Sequence, residues 1–270
     1  MRNRGRRSIA AVLGAMASAA AVVVLAPLAF AAIEVGYGNS VSPLANDSAP
    51  HTTIATCPAG MEVLGGGVRL GDDLNDFVQG TYPVGETGWA AVGYRRNTQP
   101  APSSLEADAI CLRGAKVATK SVTVPLNGVG TIDTPVVKCP KGTLVAGGGG
   151  QLSDETNDYL AGSFPFSKRE WIVIARGGGD VTPTARCVRK VDLKIRAKSI
   201  TMPDDNTTHT VTAKCPKRMK ATGGGGRLED PLFNFFQGSY PTGRSKWTAA
   251  GYDAGKLTAY VICRKKYGGD

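Results

Sequence analysis

The sequence predicts an all-β protein built from three tandem, disulfide-linked β units. Three observations carry that prediction. A block that opens on a cysteine recurs three times without a gap, its segments are short and rich in β-branched and aromatic residues bounded by Gly, Pro, Asp and Asn, and the six cysteines fall two to each copy. Beyond residue 31 no stretch sustains the i, i+3, i+4, i+7 apolar spacing of an amphipathic helix. The sequence leaves two arrangements open, three small sandwiches or a pseudo-threefold, β-prism-like body.

Residues 1–31 read as a signal peptide. Four arginines precede an uncharged, mostly apolar run from Ile9 to Phe30, and Ala29-Phe30-Ala31 has the small-x-small form that signal peptidase cuts. The run is long enough to span a bilayer, but Pro27 and the Ala-Phe-Ala site favour cleavage. Ser8-Ile9-Ala10 fits a twin-arginine pattern poorly after Arg6-Arg7, so general secretion is expected. With no cysteine near the site, a lipoprotein anchor is excluded. The expected product is a secreted protein with no membrane segment.

The units span residues 33–113, 116–190 and 192–266. Their blocks open CPAGMEVLGGG at Cys57, CPKGTLVAGGGG at Cys139 and CPKRMKATGGGG at Cys215. Counting from each cysteine, a glycine run starts 8 residues on (Gly65, Gly147, Gly223), an aromatic-Pro pair ends 26 on (Pro83, Pro165, Pro241) and a tryptophan stands 32 on (Trp89, Trp171, Trp247). Units one and three are identical at 17 of these 33 positions, which shared composition does not produce. A strand precedes each block (NSVSPL, KSVTVP, KSITMP), and a second cysteine closes each unit. The additional residues of unit one fall in RRNTQPAPSS, a stretch of the kind surface hairpin loops tolerate. The glycine runs lack both a following helix and the Lys-Ser/Thr of a phosphate loop, so they mark bulges or close strand approach.

Repeat symmetry reduces the cysteine pairings to two sets, within each unit (Cys57 with Cys111, Cys139 with Cys187, Cys215 with Cys263) or cyclically between units. The first is favoured, because an exported unit of this size has a marginal core that a crosslink supports. With no CxxC spacing and only His51 and His209, a zinc site is excluded. Those histidines and Asp133 occupy one repeat position, which reads as a strand-flanking surface site.

The formal charge of +10 includes the four leader arginines; without them 28 basic against 22 acidic residues leave +6. Basic residues gather around the last strand of each unit and the link beyond: Arg113, Lys116 and Lys120; Arg186, Arg189, Lys190, Lys194, Arg196 and Lys198; Arg264, Lys265 and Lys266. Such a stripe attracts polyanions, and outside a cell these are envelope polymers and acidic glycans rather than nucleic acid. Candidate ligand contacts are Trp89, Trp171, Trp247, Tyr82, Phe164, Tyr240, Arg189, Lys190, Arg264 and Lys265. The tryptophans divide between core packing and sugar stacking. A polar segment after each glycine run, with Asp72, Asp73 and Asp76 in unit one and Asp154, Glu155 and Asp158 in unit two, reads first as a turn and second as a calcium site. No other cofactor is expected.

The combined pattern resembles the secreted bacterial CPxG...GGG...SYP...GW...YAIC domains of actinobacteria, which also occur at the ends of collagen-like and phage-associated chains. The resemblance rests on the three blocks, on TYP and GW after the first, and on AICLR closing unit one. It implies a small all-β unit in an extracellular setting, without an assigned chemistry. Arg186 before the last cysteine of unit two, Phe164 for Tyr, and Arg218 for the Gly of CPxG depart from it. Single copies on collagen-like stems would associate in threes, so three fused copies suggest a pseudo-threefold monomer. A more distant likeness, to the vitelline membrane outer layer protein, whose β-prism has internal threefold repetition, is one of fold alone. The threefold repeat, which multiplies weak contacts into avidity, and the basic and aromatic residues point to a non-enzymatic binding protein that contacts cell-envelope or extracellular polysaccharide at two or three equivalent sites. A structural spore-coat, envelope or matrix component is the alternative. A secreted hydrolase is a third reading, disfavoured because near-identical repeats supply few differentiated catalytic groups.

Overall fold

The computed structural model describes residues 34–71, 76–96, 103–114, 116–153, 158–189, 191–229 and 235–265; the expected signal peptide lies outside them. Every regular element among the described residues is a strand. Unit one supplies β1 (Glu34–Leu44), β2 (Pro50–Thr56), β3 (Glu62–Leu70), β4 (Asp76–Val84), β5 (Gly88–Arg95) and β6 (Ser103–Arg113). Unit two supplies β7 (Val117–Ser121), β8 (Val124–Pro125), β9 (Gly128–Asp133), β10 (Val136–Lys138), β11 (Leu144–Leu152), β12 (Tyr159–Pro165), β13 (Glu170–Gly177) and β14 (Asp180–Val188). Unit three supplies β15 (Leu193–Met202), β16 (Thr208–Lys214), β17 (Met219–Glu229), β18 (Phe235–Pro241), β19 (Lys246–Tyr252) and β20 (Gly255–Lys265).

The strands form three antiparallel sheets, and no sheet belongs to one unit. The first runs β1-β6-β3-β18-β19-β16; the second runs β2-β5-β4-β11-β14-β7 with β8 beside β14; the third runs β10-β13-β12-β17-β20-β15 with β9 beside β13. Each unit therefore gives half of its strands to one sheet and half to the next, and unit three returns to the sheet that unit one began. This closed cycle is the prism-like arrangement, not a row of separate sandwiches. The seams where units meet are short ladders of two pairs each: Thr81 and Gly80 with Gly150 and Gln151, Gly162 and Ser163 with Arg227 and Gly226, and Gly238 and Ser239 with Arg69 and Val68.

The glycine runs act at the centre of this cycle. Each run begins at a bulge, between Val63 and Gly65, Val145 and Gly147, and Ala221 and Gly223. The first glycines of the three runs face one another across the pseudo-threefold axis: a Cβ on Gly147 would lie 2.7 Å from the Gly65 Cα, and one on Gly223 would lie 2.9 Å from the Gly147 Cα. Backbone occupies that space, so no side chain fits. The next glycines, Gly66, Gly148 and Gly224, are covered by the rings of Trp89, Trp171 and Trp247. Further out, Phe77, Tyr159 and Phe235 meet around the same axis, with ring centroids 4.9–6.1 Å apart.

All three disulfides close within their units, Cys57–Cys111, Cys139–Cys187 and Cys215–Cys263, with Cα separations of 5.6–5.7 Å. Each ties the last strand of a unit to the CPxG turn that launches the glycine strand. In that turn the N–H of the residue after the motif donates to the proline carbonyl at 3.1 Å in every unit, and the fourth residue of the motif has positive φ: 74° at Gly60, 81° at Gly142 and 63° at Arg218. One large apolar core joins residues of all three units, and a small second cluster forms around Ala161, Phe164 and Ile174.

Candidate functional site

The recurring aromatic residues are structural. Trp89, Trp171 and Trp247 are 0–1 % exposed, and their indole N–H groups donate to Thr81 Oγ1, Ser163 Oγ and Ser239 Oγ at 2.8, 2.9 and 2.6 Å. Burying each indole contributes about 4–6 kcal/mol of apolar transfer, and the internal acceptor removes the cost of enclosing its N–H. With no ring face open to solvent they cannot stack on a saccharide, which corrects the contact reading in favour of the core reading. Tyr82, Phe164 and Tyr240 pack at the seams, where the third glycine of the neighbouring run approaches their backbone. Phe164 is buried and stacks on Tyr260 at 4.7 Å with 13° between the planes, while Tyr240 lies half-buried under the Arg69 guanidinium at 5.3 Å. These contacts hold unit to unit.

Of the six carboxylates named as calcium ligands, Asp72, Asp73, Asp154 and Glu155 lie outside the described residues. Asp76 and Asp158 are buried and serve as internal acceptors. Asp158 takes the backbone N–H groups of Gly178 and Gly179 at 3.0 and 3.3 Å. Asp76 takes the Ser103 hydroxyl and pairs with the buried Arg95 at 3.6 Å. Pinning the end of a hairpin accounts for this position without an ion. Among the described residues no three His, Cys, Asp or Glu side chains cluster as a metal site would need.

His51 and His209 turn to local partners, Asp47 Oδ1 and Asp205 Oδ1, both at 2.8 Å, while Asp133 accepts from Asn127 in its own unit. They stand on strands of three different sheets and form no shared group. On the outer face of the first sheet, Asn39 Nδ2 bridges Glu106 Oε1 and Asp108 Oδ1 at 2.6 and 3.1 Å. Burial, reinforced by the Glu106 charge, pushes the Asp108 carboxyl up to about 6 against the opposing pull of Asn39 and Arg69.

The basic residues separate into two groups. Arg264 is 1 % exposed and Arg186 is 2 % exposed, so both leave the proposed surface stripe. Arg186 reaches from unit two into unit one, where its Nε and an Nη donate to the Val63 carbonyl at 2.9 and 2.5 Å, beside the bulge. Burial holds its pKa below the usual arginine value. Arg189 and Lys265 are exposed, and Lys190 lies outside the described residues. Three exposed cations share β15, an edge strand whose Lys194, Arg196 and Lys198 alternate onto one side. They pair in register with Cys263, Val261 and Ala259. At the same register unit one has Gly36, Gly38 and Ser40, opposite Cys111, Ala109 and Ala107. There the corner between sheets is shut: a Cβ on Gly36 would lie 2.5 Å from the Met61 sulfur, and one on Gly38 would strike the Thr56 carbonyl. Unit three carries the exposed Lys194 and Arg196 at those two register positions. No protein-family model matches the sequence, and no curated protein matches it.

Proposed function

We propose that this is an exported, non-enzymatic binding protein for anionic polysaccharide or cell-envelope polymer, engaged through the β15 edge. The observation that carries the reading is the row Lys194, Arg196 and Lys198: three exposed cations on one side of an edge strand, none with an ion-pair partner among the described residues. An unpaired cationic row gathers a polyanion by releasing its counterions, and the attraction weakens with salt. Three intramolecular disulfides support residence in an oxidising compartment. Burial of the tryptophans takes their rings out of the candidate contacts, and the exposed cations are the contacts this reading uses.

Co-sedimentation of the disulfide-bonded protein with isolated cell wall and with soluble polyanions tests this. Retention at low ionic strength, lost progressively as salt is raised and weakened by K194S/R196S/K198S, is expected. Failure to bind any anionic polymer at low salt would overturn it.

A further inference from the structure

The β15 edge ends in a cleft at the corner where the third sheet meets the first. It encloses about 380 Å³ and is lined by Lys198, Ile200, Thr210, Val211, Thr212, Lys214, Thr242 and Lys246. Three features set this corner apart from its two counterparts in the same molecule.

The first is a like-charge pair. Lys214 of β16 stands directly opposite Lys246 of β19, an arrangement that destabilises a sheet. The counterpart pair in unit two is Lys138 with Glu170, whose Nζ and Oε1 are 2.7 Å apart, and in unit one it is Thr56 with Gly88. Unit two satisfies its lysine internally; unit three sets a second lysine in its place. The third cation, Lys198, has Ser40 at its register position in unit one and Val122 in unit two.

The second is a hydroxyl chain. Thr248 Oγ1 lies 2.8 Å from Thr212 Oγ1 and 2.5 Å from Thr242 Oγ1. Three hydroxyls joined by two hydrogen bonds keep one hydrogen for an outside acceptor. At these positions unit one carries Ile54, Ala90 and Val84, and unit two carries Val136, Ile172 and Phe166. Ile54, Val84, Val136 and Phe166 are exposed. The same patch is thus apolar in two units and made of donors in the third. The third feature is the β15 wall itself, where Lys198 and Ile200 line the cleft and unit one carries the shorter Ser40 and Ser42 at those register positions.

Three ammonium groups and a donating hydroxyl around one concavity match an acceptor with several charged oxygens. A carboxylate offers two oxygens in a plane, whereas a phosphate or sulfate ester offers tetrahedrally arranged oxygens that donors from three strands and a turn can reach together. We infer that the β15–β16 corner cleft of unit three is a subsite for a tetrahedral oxyanion, the phosphate or sulfate ester group of an extracellular polymer; this rests on the polymer-binding reading above and gives it a fixed point on the surface.

The test uses the intact, disulfide-bonded protein and two variants with the same charge change. K246E recreates the opposite-charge pairing of unit two inside the cleft, and K141E changes an exposed lysine of unit two that stands outside the basic stripe. Retention is measured on poly(glycerol phosphate) and on dextran sulfate, and melting temperature in inorganic phosphate against chloride at matched ionic strength. K246E is expected to weaken retention at least about tenfold and to abolish the extra stabilisation by phosphate, with K141E close to wild type in both. A preference between the two polymers names the ester. Equal losses in K246E and K141E, or none in K246E, overturn the cleft while leaving the β15 reading in place. Absence of wild-type retention on every polymer overturns the binding reading, and with it the polymeric source of the ester.

Discussion

Replacing Arg218 with glycine should stabilise the protein. The CPxG turn places its fourth residue at φ 74° in unit one and 81° in unit two, both with glycine, and at φ 63° in unit three with Arg218. An L-residue held there costs about 1–2 kcal/mol, and the added freedom of glycine in the unfolded chain returns about 0.5–1 kcal/mol of that. R218G is therefore expected to gain about 0.5–1 kcal/mol, which for a chain of this size is about 1–4 °C in Tm. Gly142→Ala is the matched control. A Cβ at Gly142 would meet nothing within 4 Å, so its cost is conformational alone, about 1 kcal/mol of destabilisation. Urea unfolding with disulfides intact, followed by tryptophan fluorescence, reads both. If R218G loses stability while G142A behaves as expected, the Arg218 side chain contributes more than its backbone costs, and the strain argument fails for unit three.

Trp171→Phe should cost about 1–3 kcal/mol, because it strips the Ser163 hydroxyl of its indole donor and leaves a void in the core; polymer retention should not change, and a selective loss of retention would restore a contact role for the ring. Removing the Cys139–Cys187 bridge with serines opens a loop of 48 residues and is expected to destabilise by about 4 kcal/mol, measured as the shift in unfolding midpoint. Asp108 has a folded-state pKa of about 6, above its unfolded value. The folded state therefore holds the proton longer, and this group's contribution to stability falls as pH rises from about 4 to about 6 and is level above that. Comparing D108N with wild type across this window should show the variant gaining relative stability as pH rises; parallel curves would remove the assigned shift.

Strands and disulfide partners were readable in the sequence because each depends on local pattern or on repetition. Runs such as SVTVP and GWAAVGY carry β-branched and aromatic residues between turn residues, and the cysteine spacing recurs. The glycine runs were legible as close backbone approach, although not as three strands meeting on one axis. Sheet sharing was not legible, since β4 shows the same alternation whether its neighbour is β3 of its own unit or β11 of the next. Trp89, Trp171 and Trp247 recur equally in a core or in repeated sites, so recurrence could not decide between them. Lys214 and Lys246 were missed for the opposite reason. They do not recur, and only comparison of Lys214/Lys246 with Lys138/Glu170 and Thr56/Gly88 exposes them. In a symmetric fold, repetition marks what builds the body, and departure from repetition marks what distinguishes one corner from the others.

The shared sheets also make the chain's starting point arbitrary. Three residues separate β6 from β7 and four separate β14 from β15, each link carrying the chain from one sheet to the next. By pseudo-symmetry the step from the end of β20 to the start of β1 is the same step. A circular permutant joining residue 265 to residue 34 through a linker of about four residues, and cut instead at 114–116 or 189–192, should close the same cycle. Cut at both links, the molecule becomes three fragments, each able to complete its sheets only by finding the other two.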